Sequence, residues 1–214
     1  MQKFLNNLGS TYGTLRIFKR AMNATRKAMN RETDYAKLLF QGNAYDNLGM
    51  FKEAIKSYKQ AVRTDPSNGE AYCSLGNACS RSGMFKEAVE AYKQGVRRNP
   101  QDALAYYILG TTYSKLGNYQ AAVATTKRAI QIRPAMSGAH KNLGIFYYRL
   151  GMYNEAKESL NQSIKIEPDN ANARYNFALV CLELHDRNSA LQEYKILKGL
   201  APDVADKLSE KLLA

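Results

Sequence analysis

The side chains that could carry out chemistry are few and widely separated. His140 and His185 are the only two histidines. The three cysteines, Cys73, Cys79 and Cys181, are odd in number and fit neither a zinc nor a redox spacing. A metal needs several N, S or O ligands converging on one point, and no Cys/His/carboxylate cluster has that spacing. The glycines form no phosphate-cradling loop. Glu53, Glu87 and Glu155 each precede an alanine in the same local pattern, which marks them as surface acids and not a catalytic pair. These residue types predict no catalytic residue, no metal site and no cofactor. They point to recognition by surface complementarity.

Charge says something about the partner. The 214 residues carry a net charge of +12. Residues 1–33 hold Lys3, Arg16, Lys19, Arg20, Arg26, Lys27 and Arg31 against Glu32 alone, seven minus one, or half of the total. Such asymmetry favours an acidic partner, an anionic membrane surface or nucleic acid. Charged residues make up 23% and apolar residues 45%, a composition able to bury a core. No apolar run approaches the ~18 residues of a membrane span. Asn6 and Asn7 interrupt any secretory apolar segment at the start, so a cytoplasmic location is expected.

The elements that must position these side chains are legible from one period. All five prolines, Pro66, Pro100, Pro134, Pro168 and Pro202, lie 34 residues apart. Ala54, Ala88, Ala122, Ala156 and Ala190 keep the same step, as do Gly42, Gly76, Gly110 and Gly144, and Gly49, Gly83, Gly117 and Gly151. Each series has a physical role. Gly49 ends one helix in a left-handed turn, and a second helix follows. Gly42 and Ala54 sit where the two helices cross, and Tyr45, Leu48 and Tyr58 fill the space between them. Each proline stops the second helix, which it cannot continue. A single hairpin cannot bury its apolar face, so stacked neighbours must bury it together. Cys79 and Cys181 occupy equivalent core positions, the expected place for unreactive thiols.

This frame resembles the tetratricopeptide-repeat (TPR) family. The family's Leu-Gly-x-x-Tyr core stands as Leu109-Gly110 with Tyr113 and as Leu143-Gly144 with Tyr147. The usual Trp position holds Leu38, Tyr72, Tyr106, His140 and Arg174. Five units read 35–68, 69–102, 103–136, 137–170 and 171–204. The fifth is degenerate, with Ala178 for glycine and His185-Asp186-Arg187 in its turn. Residues 1–34 match an eroded unit through Leu8-Gly9, Tyr12, Leu15, Phe18, Ala21 and Ala28. Residues 205–214 read as a capping helix. The resemblance implies an all-α, right-handed superhelix of about twelve hairpin helices and one cap, with a non-catalytic role as a scaffold or adaptor for proteins or peptides.

The resemblance also implies that first helices line the concave face. Carried over by position, the groove holds Asn43, Asn77, Thr111, Ile145 and Leu179 in one row and Leu39, Cys73, Tyr107, Lys141 and Tyr175 in another. A third row is Asn47, Arg81, Lys115, Arg149 and Glu183, and a fourth is Asp46, Ser80, Ser114, Tyr148 and Leu182. Early amides can bond a peptide backbone from both donor and acceptor atoms. The later apolar and aromatic residues suit anchoring of a helix or apolar segment, or packing of Leu179 and Leu182 against the cap. Arg81, Lys115 and Arg149 form a basic line that favours an acidic ligand.

Two family-level alternatives fit less well. The two-carboxylate clamp for chaperone tails would need Lys and Asn where Leu39 and Asn43 stand, then Asn, Lys and Arg where Ser74, Leu104 and Ile108 stand, so it is not assembled. Helical-repeat RNA readers use one unit per base, and no position here alternates like a base code. In layout the chain is also similar to magnetosome-associated members of the family, with five units after an eroded one and Tyr12-Gly13 followed by a basic segment. That similarity implies self-assembly on a membrane-bound complex, the first unit of one molecule entering the groove of the next. Arg16, Arg20, Lys27 and Arg31 share one helical face opposite Phe18, Met22 and Met29. This basic amphipathic segment has three destinations: packing on the next unit, docking on another copy, or lying on an anionic membrane.

Overall fold

The computed structural model describes residues 34–213 together with Arg20 and Asn23. The expected first unit, with Arg16, Lys19, Arg26, Lys27 and Arg31, lies outside the described residues; Arg20 is exposed. Among the described residues the structure is helical throughout its elements: α1 (34–47), α2 (Phe51–Thr64), α3 (Gly69–Arg81), α4 (Phe85–Arg98), α5 (Ala103–Lys115), α6 (Tyr119–Ile132), α7 (Ser137–Arg149), α8 (Tyr153–Ile166), α9 (Ala171–Glu183), α10 (Arg187–Leu200) and α11 (Pro202–Leu213). Odd and even helices pair as hairpins, and each even helix also packs on the next odd one. The result is an all-α solenoid, closed at its C-terminal end by α11 against α9 and α10.

Local chemistry sets the boundaries. Gly49, Gly83, Gly117 and Gly151 take φ of 74°, 78°, 73° and 73°, the left-handed turn that ends each first helix. His185 holds the same turn in the fifth hairpin at φ 57°. Second helices end at the residue before proline. Asp65, Asn99, Arg133, Glu167 and Ala201 all leave the helix with φ between −124° and −152°, because the proline ring disfavours helical geometry at the residue preceding it. First helices then restart on side-chain caps: Asn68, Asp102 and Asn170 accept from Glu70, Ala105 and Ala173 backbone N–H groups.

The hairpin crossings follow the small residues. Ala54, Ala88, Ala122, Ala156 and Ala190 are all fully buried. A Cβ built on Gly76 would stand 2.8 Å from the Tyr92 ring, so glycine is what allows that ring to pack flat on the helix. Tyr58 and Tyr92, which face glycines, are 2% and 1% exposed. Tyr194, which belongs to the hairpin where Ala178 replaces glycine, is only half-buried. Leu48, expected between the helices, is instead 74% exposed. It follows the last turn of α1, and no described element stands before α1 to cover it.

Two residues at the Trp-like position, His140 and Arg174, have a polar function that their type alone did not reveal. His140 Nε2 lies 2.8 Å from the carbonyl of Pro134, and Arg174 Nε donates to that of Pro168 at 2.7 Å. A carbonyl only accepts, so His140 carries its proton on Nε2. In the second unit the task passes to Arg98, which donates to the Pro66 carbonyl at 2.7 Å while its guanidinium covers the Tyr72 ring. Arg174 also pairs with Glu193 at 2.7 Å, with both side chains largely buried.

Candidate functional site: the groove of first helices

The candidate groove residues all sit on the odd-numbered helices. Asn43, Asn47, Asn77, Arg81, Lys115 and Arg149 are exposed, and Tyr107, Thr111, Lys141, Ile145, Tyr148 and Tyr175 are half-buried. Their partners divide them. Tyr58 Oη donates to Asn43 Oδ1 at 2.7 Å, and Tyr92 Oη donates to Asn77 Oδ1 at 2.6 Å. Burial pushes the Tyr58 phenol up to about 12 and the Tyr92 phenol higher still, so both remain donors. Each tyrosine thus reaches through its hairpin, fixes the asparagine rotamer and leaves the amide nitrogen to donate.

A second set of contacts runs from one first helix to the next, at a spacing of one repeat plus one residue. Arg81 Nη1 pairs with Asp46 Oδ2 at 2.6 Å. Asn142 Nδ2 donates to Tyr107 Oη at 3.2 Å, and Tyr148 Oη donates to Glu183 Oε1 at 2.9 Å. Burial first, then that bond to Glu183, raises the Tyr148 phenol. Sequence reasoning placed Asn142 and Glu183 in no contact. The signal was present in the 35-residue offset between polar partners, which a column-by-column alignment of repeats hides.

The basic line is therefore not uniform. Arg81 is neutralised by Asp46, and its guanidinium lies over the Phe51 ring at 4.6 Å. Lys115 Nζ lies 5.3 Å from the Phe85 ring centre. Among the described residues no carboxylate stands within 4.0 Å of Lys115 or Arg149. Lys141 lies near Glu167, whose carboxyl is held below its ordinary range first by hydrogen bonds from Asn170 and Ser137 and then by the Lys141 charge. At the far end, Tyr175, Leu179 and Leu182 pack against the C-terminal cluster with Ala205, Leu208 and Leu212. The cap thus takes up part of the apolar row.

Nothing in this geometry activates a nucleophile. Burial raises the Cys73 and Cys181 thiols to about 11, and Cys79 upward. Among the described residues no group of His, Cys, Asp or Glu could hold a metal, and no helix is long and apolar enough to cross a membrane.

A helical-hairpin solenoid with a lined face of first helices defines a class of protein-interaction scaffold. Models of the TPR repeat match residues 42–83, and of the tetratricopeptide repeat residues 80–137 and 137–170. The chain belongs to the tetratricopeptide-repeat family. Two crystal structures of MamA superpose with TM-scores of 0.74 and 0.71 at 28% and 29% identity, covering 83% and 79% of this chain and 93% and 95% of theirs. The crystal structure of YrrB, described as a TPR protein with an unusual peptide-binding site, superposes with a TM-score of 0.75 at 23% identity over 86% of this chain and 97% of its own. No curated protein sequence matches.

Proposed function

We propose that this protein is a non-catalytic adaptor that binds a peptide or protein segment along its odd-numbered helices. The observation that carries the reading is the pair of Tyr–Asn bonds, Tyr58 to Asn43 and Tyr92 to Asn77. Each bond runs from a second helix through the hairpin to hold an exposed amide in one orientation, which a solvated surface does not need and a preorganised binding face does. Asn43, Asn47, Asn77 and Thr111 supply hydrogen bonds, and Tyr107, Ile145, Tyr148 and Tyr175 supply apolar contact. The test is recovery of binding partners from the source cell by wild type and by Asn77→Arg and Ile145→Arg, which place bulk on this face; Asn77→Arg also removes the acceptor of the Tyr92 hydroxyl, and Ile145→Arg leaves that bond intact. Loss with both variants, at unchanged helicity, is the expected result. Unchanged recovery would show that partners bind elsewhere.

Self-assembly is supported by a separate observation at the N-terminal edge. In later first helices the position of Ala44 is filled by Ala78, Thr112, Phe146 and Val180, all at 4% exposure or less. Ala44 itself is exposed, and Phe40 and Leu48 beside it are 76% and 74% exposed. An open apolar edge invites a second copy or the basic segment of residues 1–33. Assembly at a membrane-bound complex of the magnetosome kind, on its cytoplasmic side, agrees with the similarity to MamA and the basic segment. Light scattering on the full chain and on a chain lacking residues 1–34 tests it. A full-length protein that stays monomeric at high concentration overturns the self-assembly reading and leaves the groove reading untouched.

A further inference from the structure

Residues 103–154 contain no aspartate or glutamate. They carry Lys115, Lys127, Arg128, Arg133, Lys141 and Arg149, so half of the net charge of +12 falls on α5, α6, α7 and the turns between them. In the groove, among the described residues, this acid-free band leaves Lys115 and Arg149 with no carboxylate within 4.0 Å, while Lys141 lies near the Glu167 charge. The reason lies in the step from each first helix to the next. Arg81 has Asp46 one repeat and one residue before it. The same offset places Ser80 before Lys115 and Ser114 before Arg149, and a hydroxyl cannot neutralise a cation. The Ser114 hydroxyl is already bonded to the Thr111 carbonyl. Beyond Arg149 the sign reverses at Glu183, whose carboxylate accepts from Tyr148. The groove is therefore neutralised at Arg81, cationic at Lys115 and Arg149, and acidic at Glu183.

We propose that the groove takes an acidic peptide segment and that Lys115 and Arg149, not Arg81, read its carboxylates. This rests on the groove reading above. α5 and α7 lie side by side, and packed helices stand ~8–10 Å apart. A ligand in the polyproline II conformation covers ~9 Å in three residues, which is one turn, so its side chains return to the same face at that spacing. Carboxylates three residues apart on such a ligand thus reach Lys115 and Arg149 together. The Phe85 ring beneath Lys115 limits the hydration of its ammonium without neutralising it. Nucleic acid is the other polyanion to consider. A phosphodiester chain rewards cations spread along its path, whereas here Asp46 and Glu183 close the cationic pair on both sides.

The test is selection of short random peptides on the immobilised full chain, with Arg81→Gln and the double variant Lys115→Gln/Arg149→Gln selected in parallel. The expected result is enrichment of Asp and Glu at a three-residue spacing on wild type and on Arg81→Gln. The double variant loses that enrichment and binds the selected peptides about tenfold or more weakly. Selected peptides without acidic enrichment overturn this inference and leave the groove reading standing. Failure to select any peptide that competes with Asn77→Arg-sensitive binding sinks both. If the double variant instead loses binding to oligodeoxythymidylate while acidic peptides are not enriched, the polyanion is a nucleic acid and the proposal is wrong.

Discussion

Arg81 and Asp46 join two successive first helices through an ion pair of 2.6 Å, the arginine side chain 49% exposed and the aspartate 17%. Exposed pairs of this kind contribute ~0–1 kcal/mol to stability. Asp46→Asn is expected to cost no more than ~1 kcal/mol in urea unfolding, yet to release Arg81 as a third free cation. Affinity for acidic peptides should rise, and its salt dependence should steepen. A fall in affinity would mean that the pair organises the groove and does not merely mask a charge.

The crossing glycines should be intolerant in proportion to what their Cβ would meet. A Cβ on Gly144 would stand 2.5 Å from Leu160 Cγ and 3.1 Å from the Ala156 carbonyl. Gly144→Ala is expected to destabilise by ~1–3 kcal/mol through overpacking. Leu160→Ala in the same chain should recover part of the loss by vacating that space, and a double-mutant cycle from chemical denaturation reads the coupling.

His185 occupies a left-handed turn that glycine occupies in the other four hairpins. A side chain there costs ~1–2 kcal/mol, partly offset by the greater flexibility of glycine in the unfolded chain. His185→Gly should raise the melting temperature by a few degrees, about 1 kcal/mol or less of stability. Gly117→His should lower it. An unchanged melting temperature for both would remove turn strain as a determinant of the fifth hairpin.

Asp186 caps α10 by accepting from the Ser189 backbone N–H and pairs with Lys157 at 2.8 Å. The Lys157 hydrogen bond, then those from Ser189, hold its carboxyl down at about 2, below its ordinary value of 3.8. A depressed carboxyl stabilises the fold above its unfolded pKa and loses that contribution as pH falls through the folded value. Asp186→Asn keeps the cap and removes the charge. Its melting temperature should lie below that of wild type at neutral pH and converge on it between about pH 4 and pH 2. A gap that persists unchanged at the lowest pH would assign the effect to packing.

The period, the helix pairs and the crossing residues were legible in the sequence, because the forces that fix them act within a single hairpin. Glycine at Gly76 admits the Tyr92 ring, Gly83 takes a turn other residues resist, and each proline turns the residue before it out of helical geometry. Those constraints recur every 34 residues and depend on residue type alone. The state of the candidate groove was not legible in the same way. Arg81, Lys115 and Arg149 share one column and one charge, yet among the described residues only Arg81 of the three has a counterion, since Asp46, Ser80 and Ser114 reach that column from the preceding unit. Arg174 and His140 looked like eroded Trp positions until the turn before each first helix brought them within a hydrogen bond of the proline carbonyl six residues earlier. Burial of Leu179 and Leu182 waited on where α11 folds back. Stacking sets the contacts along the groove, and an offset of one repeat plus one residue becomes a contact only once neighbouring hairpins are packed side by side.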